Sequence, residues 1–292
     1  MTYCVAMRTV HGLVFLSDSR TNAGVDQIST FRKMTVFERP QDRVLVLMTA
    51  GNLAISQAVR QQLSQHASAS GQTLWTASNM YEAVACVGDA VRAVYARDAE
   101  SLKKFGHDFN VSLIFGGQIQ GSEPTLFMVY AAGNYIEATP ENPYFQIGEA
   151  KYGKPIIDRV LTTTTPLDEA AKCALISMDS TLRSNISVGL PLDLLVYERD
   201  RLQVTRFAHI DQHNQYFEMI HGTWGGRLKQ VFAEIPDPAW GQTPAFETAG
   251  QVSAAGKVVL PPKVLPPTLQ DSLPALQVQT LAQGPSSSTP GQ

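Results

Sequence analysis

The sequence predicts an α+β fold in which two antiparallel sheets stack face to face with helices outside them. Three observations predict it. Strand-like and helix-like segments follow one another in blocks, strands then helices then strands again, which is the pattern of a layered α+β domain. The run Val44-Leu45-Val46-Leu47-Met48 is solidly apolar, as in a strand covered on both faces. The chain has 292 residues of which 44% are apolar, enough for one large domain or two small ones.

Two short strands open the chain, Thr2 to Arg8 and Leu13 to Ser17, with His11-Gly12 as the expected turn. Strands from Phe31 to Phe37 and from Val44 to Met48 follow. A helix is expected after Gly51-Asn52, running to about His66. A second helix has Asn79 as its cap, Glu82 three residues on, and apolar positions Met80, Val84, Val87, Val91 and Tyr95. Strands return at Val111 to Phe115 and Thr125 to Tyr130. Helices are expected after Gly148 and from Thr165-Pro166, with Asp168 at the capping-box position. Asp193 to Tyr197 and Leu202 to Phe207 are the final strands.

Composition changes near residue 240. From Gly250 to Gln292 there are seven prolines, no aromatic residue, and only Lys257, Lys263 and Asp271 as charges. Such a segment buries too little apolar surface to offset its ordering entropy. Residues 1–240 are therefore expected to form the folded domain, and 241–292 a Pro/Ser/Gln-rich disordered tail.

Other classes are excluded more simply. The net charge of −3 carries no footprint for nucleic acid or anionic lipid. No eighteen-residue apolar run is present to span a membrane, and the N-terminus lacks a signal-peptide layout, so a cytoplasmic protein is expected. Cys4, Cys86 and Cys173 are far apart with apolar neighbours, which fits buried thiols. His209 and His213 are spaced i, i+4 without a closed ligand set, so neither metal nor cofactor is expected.

The chemistry starts at Met1-Thr2. Removal of Met1 before a small residue would give Thr2 a free α-amine beside its own hydroxyl. That pair is a self-contained nucleophile and base, because an α-amine titrates at about 7.7–8.0. With His11-Gly12 as the turn, residue i pairs with about 23 − i, which sets Thr2 opposite Thr21 and Val5 opposite Asp18. Asp18 follows the apolar run Leu13-Val14-Phe15-Leu16 and is expected to be partly buried, where a carboxylate needs a cation. Arg20, Arg32 and Lys33 are the candidates. Strand alternation turns one of the adjacent pair Arg32 and Lys33 inward, and lysine is the better catalytic group. The fourth strand ends in Thr49-Ala50-Gly51 before a helix, where a glycine N–H can face developing negative charge.

These residues resemble a known family. Thr2 at the start, Asp18-Ser19-Arg20-Thr21 after the second strand, Lys33 entering the third and Ala50-Gly51 before a helix resemble proteasome β-subunits. They are similar, too, to the bacterial threonine peptidase of the two-component ATP-dependent protease. Thr2-Tyr3-Cys4, the stretch Asp18 to Asp26 and the stretch Met178 to Asn185 resemble the bacterial proteasome-related Anbu family most. The resemblance covers about residues 2–240.

The resemblance implies a four-layer αββα sandwich of the N-terminal nucleophile class. It implies a threonine peptidase or related amide hydrolase with Thr2 as nucleophile, Lys33 and Asp18 tuning the site, and the Gly51 N–H at the oxyanion. Asp179 and Ser184 would support the threonine amine. Thr21 and Gly51 would pair with the substrate backbone as an added strand, and Thr49 with Met48 would line a side-chain pocket. Peptide or protein substrates and a self-compartmentalising homo-oligomer, ring or open helix, are implied, and an ATP-dependent unfoldase partner stays open. Three departures stand out. Lys33 lies one residue closer to Thr2 than in proteasomes, four residues separate Asp179 from Ser184, and Glu149 stands in a stretch where proteasomes carry a serine. A catalytically weak peptide-binding scaffold and a non-peptidase amidohydrolase therefore remain the alternatives.

Overall fold

The computed structural model describes residues 2–22, 28–65, 68 and 71–238. The chain divides into two units, Met1–Ile235 and Pro236–Gln292. The tail expected over 241–292 lies outside the described residues.

The first unit opens with β1 (Tyr3–Thr9), β2 (Gly12–Asp18), β3 (Arg20–Asn22), β4 (Ile28–Thr30), β5 (Met34–Arg39) and β6 (Arg43–Gly51). Helices α1 (Leu53–Gln65) and α2 (Met80–Lys104) follow, then β7 (Val111–Ile119), β8 (Thr125–Val129), β9 (Tyr135–Glu137) and β10 (Tyr144–Gly148). Helices α3 (Lys154–Val160) and α4 (Leu167–Ser184), strands β11 (Leu192–Glu198) and β12 (Arg206–Ile210), and helix α5 (Gln215–Glu234) complete it. One five-stranded sheet runs β10-β1-β2-β11-β12, the other β5-β6-β7-β8-β9, and β3 pairs with β4.

Three apolar layers hold these sheets as the sequence requires. In β1, Tyr3, Val5 and Met7 pack toward α3, α4 and α5, while Cys4 and Ala6 face the other sheet. In β6, Leu45 and Leu47 pack under α1 and α2, while Val44, Val46 and Met48 enter the layer between the sheets. The solid apolar run is thus explained: each of its residues is fully buried on one face or the other. At about 1.5–3 kcal/mol per buried large side chain, these layers dominate the stability of the domain. A helix layer lies outside each sheet, giving the expected αββα sandwich.

Local signals behave as their chemistry demands, with corrections. Asn79 caps α2, its side chain accepting the N–H groups of Tyr81 and Glu82 at 3.0 Å. Glu82 reaches back one residue further than a capping box does, accepting the Ser78 N–H at 2.7 Å. Asp168 does not cap α4, because Arg206 takes its carboxylate. The last strand is Arg206–Ile210 rather than Leu202 to Phe207, since Asp200 and Leu202 adopt positive φ and make a turn.

The first hairpin differs in register from expectation. Cys4 pairs with Ser17 and Thr9 with Gly12, so residue i meets 21 − i and the turn is Val10-His11. The reason lies across the sheet. Gly12 pairs with Glu198, and a Cβ there would collide with the Tyr197 carbonyl, so the glycine is needed inside the strand for close approach. A shift of two residues keeps every side chain on its face. It sets Asp18 against Tyr3 instead of Val5.

Candidate active site

At one end of the packed layer between the sheets, several of the residues singled out in the sequence are tied together. Asp18 is the last residue of β2 and is fully buried. One of its carboxylate oxygens accepts the Tyr3 N–H at 3.0 Å, and the other faces Lys33 Nζ at 2.7 Å. The Gly189 N–H also bonds to it. Burial pushes the Asp18 carboxyl above the ordinary aspartate range, while Lys33 and the two N–H donors pull the other way.

Lys33 sits in the segment just before β5 rather than within a strand, and it is 6% exposed. Its ammonium also donates to the Arg20 carbonyl at 2.5 Å, and its own carbonyl accepts the Thr49 N–H at 3.1 Å. The two bonds tie Lys33 to β3 and to the end of β6. Arg32 points the other way, largely exposed, 3.8 Å from Asp193.

Thr2 precedes β1 and is partly exposed. Its carbonyl accepts the Glu149 N–H at 2.7 Å. Gly148 makes that bond feasible: its φ is +82°, and a Cβ there would collide with the Thr2 carbonyl. Thr2 is thus held on one side by Glu149, and the next peptide N–H is on Asp18. Since adjacent Cα atoms are about 3.8 Å apart, Thr2 lies one peptide unit from the Asp18–Lys33 pair.

Gly51 ends β6 opposite Val111 with φ +106°, where a Cβ would meet the Asn110 carbonyl. Thr49 is 4% exposed, two residues earlier on the same strand. Met48 is fully buried between the sheets, so it packs the core and does not line an open pocket. Thr21 lies on β3, pairs with Ser29 of β4, and has a buried hydroxyl with no hydrogen-bond partner among the described residues.

Asp179 and Ser184 stand differently. Asp179 is fully buried on α4, with His221 Nδ1 on one oxygen at 2.5 Å and Arg183 Nε 3.5 Å from the other. It fastens α5 to α4. Ser184 is the exposed last residue of α4. The segment after α4, rather than the helix, reaches the site: Gly189 bonds Asp18, Ser19 donates to the Pro191 carbonyl at 2.6 Å, and Arg20 donates to the Ile186 carbonyl at 3.0 Å.

Several partners were not singled out in the sequence. Tyr3 sends its hydroxyl beneath the site, to Ser177 and to Gln146 Nε2 at 2.5 Å. Gly153 leaves room for this, since a Cβ there would strike both Ser177 and Tyr3 oxygens. Cys4 packs with its sulfur 4.0 Å from the Thr49 carbonyl, and burial, reinforced by the Asp18 charge, pushes its thiol pKa well up. His209, paired in the sequence with His213, instead meets the buried Asp193 at 2.9 Å.

An αββα sandwich in which Thr2 lies beside a buried aspartate–lysine pair is the architecture of the proteasome-type class of folds. Residues 2–194 match the family model described as proteasome subunit. The chain belongs to this proteasome subunit family, in its bacterial, proteasome-related Anbu branch. It is 52% identical to Anbu (ancestral beta-subunit) from Yersinia bercovieri, covering 81% of this chain and 99% of that one with a TM-score of 0.76. An Anbu (Gly-1) mutant from Hyphomicrobium sp. strain MC1 is 49% identical over 82% and 99% of the two chains, TM-score 0.76. The Anbu complex from Pseudomonas aeruginosa, described as a helical assembly, is 48% identical over 83% and 100%, TM-score 0.78. No match was found among curated proteins.

Proposed function

We propose that this protein is an N-terminal threonine hydrolase acting on peptide bonds, with Thr2 as nucleophile once Met1 is removed. The observation that carries the reading is the buried Asp18–Lys33 pair at 2.7 Å, one peptide unit from Thr2. A fixed ammonium there favours the alkoxide form of a nearby hydroxyl, and Asp18 holds that ammonium in place.

In the proposed reaction, Thr2 Oγ attacks the carbonyl carbon of the substrate and its proton passes to the Thr2 α-amine. The Gly51 N–H stabilises the oxyanion of the tetrahedral intermediate. The C–N bond then breaks, the departing amine takes the proton from the Thr2 ammonium, and an ester on Thr2 Oγ remains. Water, deprotonated by the same amine, hydrolyses the ester and releases the acid. Thr21, Thr49 and Gly51 hold the substrate as an added strand beside β3 and the end of β6. Asp179 and Ser184 are left out of this scheme: the first is engaged by His221 and Arg183, and the second lies exposed at the helix end.

The Anbu complex of Pseudomonas aeruginosa is described as a helical assembly, and we infer that this chain, 48% identical to it, also works as a homo-oligomer. The test is turnover of peptide and simple-amide libraries at pH 7–8 by the wild type, Thr2→Ala and Lys33→Met. Peptide cleavage lost in both variants supports the reading. Cleavage of simple amides only would favour an amidohydrolase, and binding without turnover a scaffold.

A further inference from the structure

We propose that the distal half of α5 is a self-complementary docking surface that pairs antiparallel with α5 of a second copy of this chain. The helix starts on the body of the domain, where Phe217 and Ile220 are buried and His221 is latched to Asp179. Beyond His221 it continues to Glu234 with no buried side chain. That is about 20 Å of helix leaving the core. A lone helical stretch of this length is marginal in water even for good helix formers, and this one carries Gly222, Gly225 and Gly226.

The apolar stripe does not stop where the body stops. It runs on through half-buried Trp224 to Leu228, Val231, Phe232 and Ile235, which are 49%, 55%, 78% and 62% exposed. These positions recur every three or four residues, as on the contact face of paired helices.

A second copy is the occupant because the stripe is complementary to itself. Laid antiparallel about a two-fold axis near residue 229–230, Leu228 meets the second copy at Val231, and Trp224 meets it at Ile235. The exposed ring of Phe232 falls over Gly225, where a Cβ would meet nothing within 4 Å among the described residues. Arg227 falls beside Glu234 of the other copy, twice by symmetry. Among the described residues Glu234 has no cation partner, and Arg227 spends one nitrogen on Gln230 at 3.1 Å. Layers, bare patch and charges thus agree in one register.

The inference builds on the homo-oligomer reading and is independent of catalysis, so the test uses the full chain on a Thr2→Ala background as well as the wild type. Assembly mass is read by sedimentation or light scattering. Val231→Asp and Phe232→Asp are expected to reduce the mass at least twofold without changing the circular dichroism unfolding midpoint by more than a few degrees. Arg227→Glu and Glu234→Arg each weaken association about tenfold, and the double charge swap restores it, since only this register brings those residues together. Mass unchanged by Val231→Asp and Phe232→Asp overturns the proposal. So does a double swap no better than the singles. Unchanged mass with newly rapid proteolysis near residue 240 also overturns it, and would assign the stripe to the chain's own tail.

Discussion

Replacing Lys33 by methionine tests the electrostatic design of the site. The perturbation keeps most of the side-chain volume but strips the cation from a fully buried carboxylate. At 2.7 Å the gross attraction is about 6 kcal/mol for an effective dielectric constant of 20. Desolvation of both groups offsets part of that, and losing one partner of a buried pair costs about 3–5 kcal/mol net. Asp18 keeps the Tyr3 and Gly189 N–H donors, which argues for the lower end, about 3 kcal/mol.

The pH dependence has a definite sign. In the wild type, burial already raises the Asp18 carboxyl, and loss of Lys33 raises it further. A group that binds its proton more tightly when folded supplies stability below its unfolded pKa and loses it as pH rises through the folded value. The Lys33→Met deficit should therefore be small near pH 4 and grow toward neutrality. Urea unfolding at several pH values measures it, together with Asp18→Asn and the double variant. The double variant should recover most of the stability while peptide cleavage stays absent. Two single variants that each cost less than about 1 kcal/mol and add without coupling would refute the buried-pair reasoning.

Further outcomes follow from the same geometry. Gly148→Ala forces a side chain onto the Thr2 carbonyl at φ +82°, so it should cost at least about 2 kcal/mol in urea unfolding and slow any reaction at Thr2. Tyr3→Phe strands the Ser177 hydroxyl beneath the site and leaves the Gln146 amide with only the Ala150 carbonyl, a loss of about 1–3 kcal/mol, and an unfolding curve matching wild type would contradict it. Cys4, Cys86 and Cys173 are buried with raised pKa, Cys173 up to about 11, so none should react with a maleimide in the native state at pH 8. All three should react in urea, as counted by mass, and a thiol that labels rapidly in the native state would be at odds with the packing.

Much of the sandwich was legible because periodicity reports burial. The solid run at Val44 to Met48, the Asn79 cap and the apolar runs of β1 and β2 each carry their own signal. The hairpin register is not legible because His11-Gly12 looks like a turn, whereas the glycine is needed against Tyr197 on the adjacent strand β11. Strand β10 is five residues long, and Tyr144-Phe145-Gln146-Ile147 has no apolar–polar alternation to mark it. Helix α5 was hidden by its three glycines, although Phe217, Ile220, Trp224, Leu228 and Val231 have helical spacing.

The candidate site was legible where chemistry constrains residue type. A carboxylate after an apolar strand calls for a cation, and Lys33 is paired with it. Gly189 and Glu149 contribute through backbone N–H groups, which leave no side-chain signature in the sequence. Asp179 was carried over from a motif, but its partner His221 lies on the unrecognised α5.

The central claim is that Thr2 carries the nucleophile, and the intact mass of the purified protein after exposure to a peptide β-lactone tests it most directly. Ring opening leaves no fragment behind, so the gain equals the mass of the probe. With Thr2 as nucleophile, a chain lacking Met1 gains one probe per protomer, with the modification mapped to Thr2, lost in Thr2→Ala and strongly slowed in Lys33→Met. A chain that retains Met1 and gains nothing under saturating probe, or gains it at another residue, would rule out Thr2 as the nucleophile.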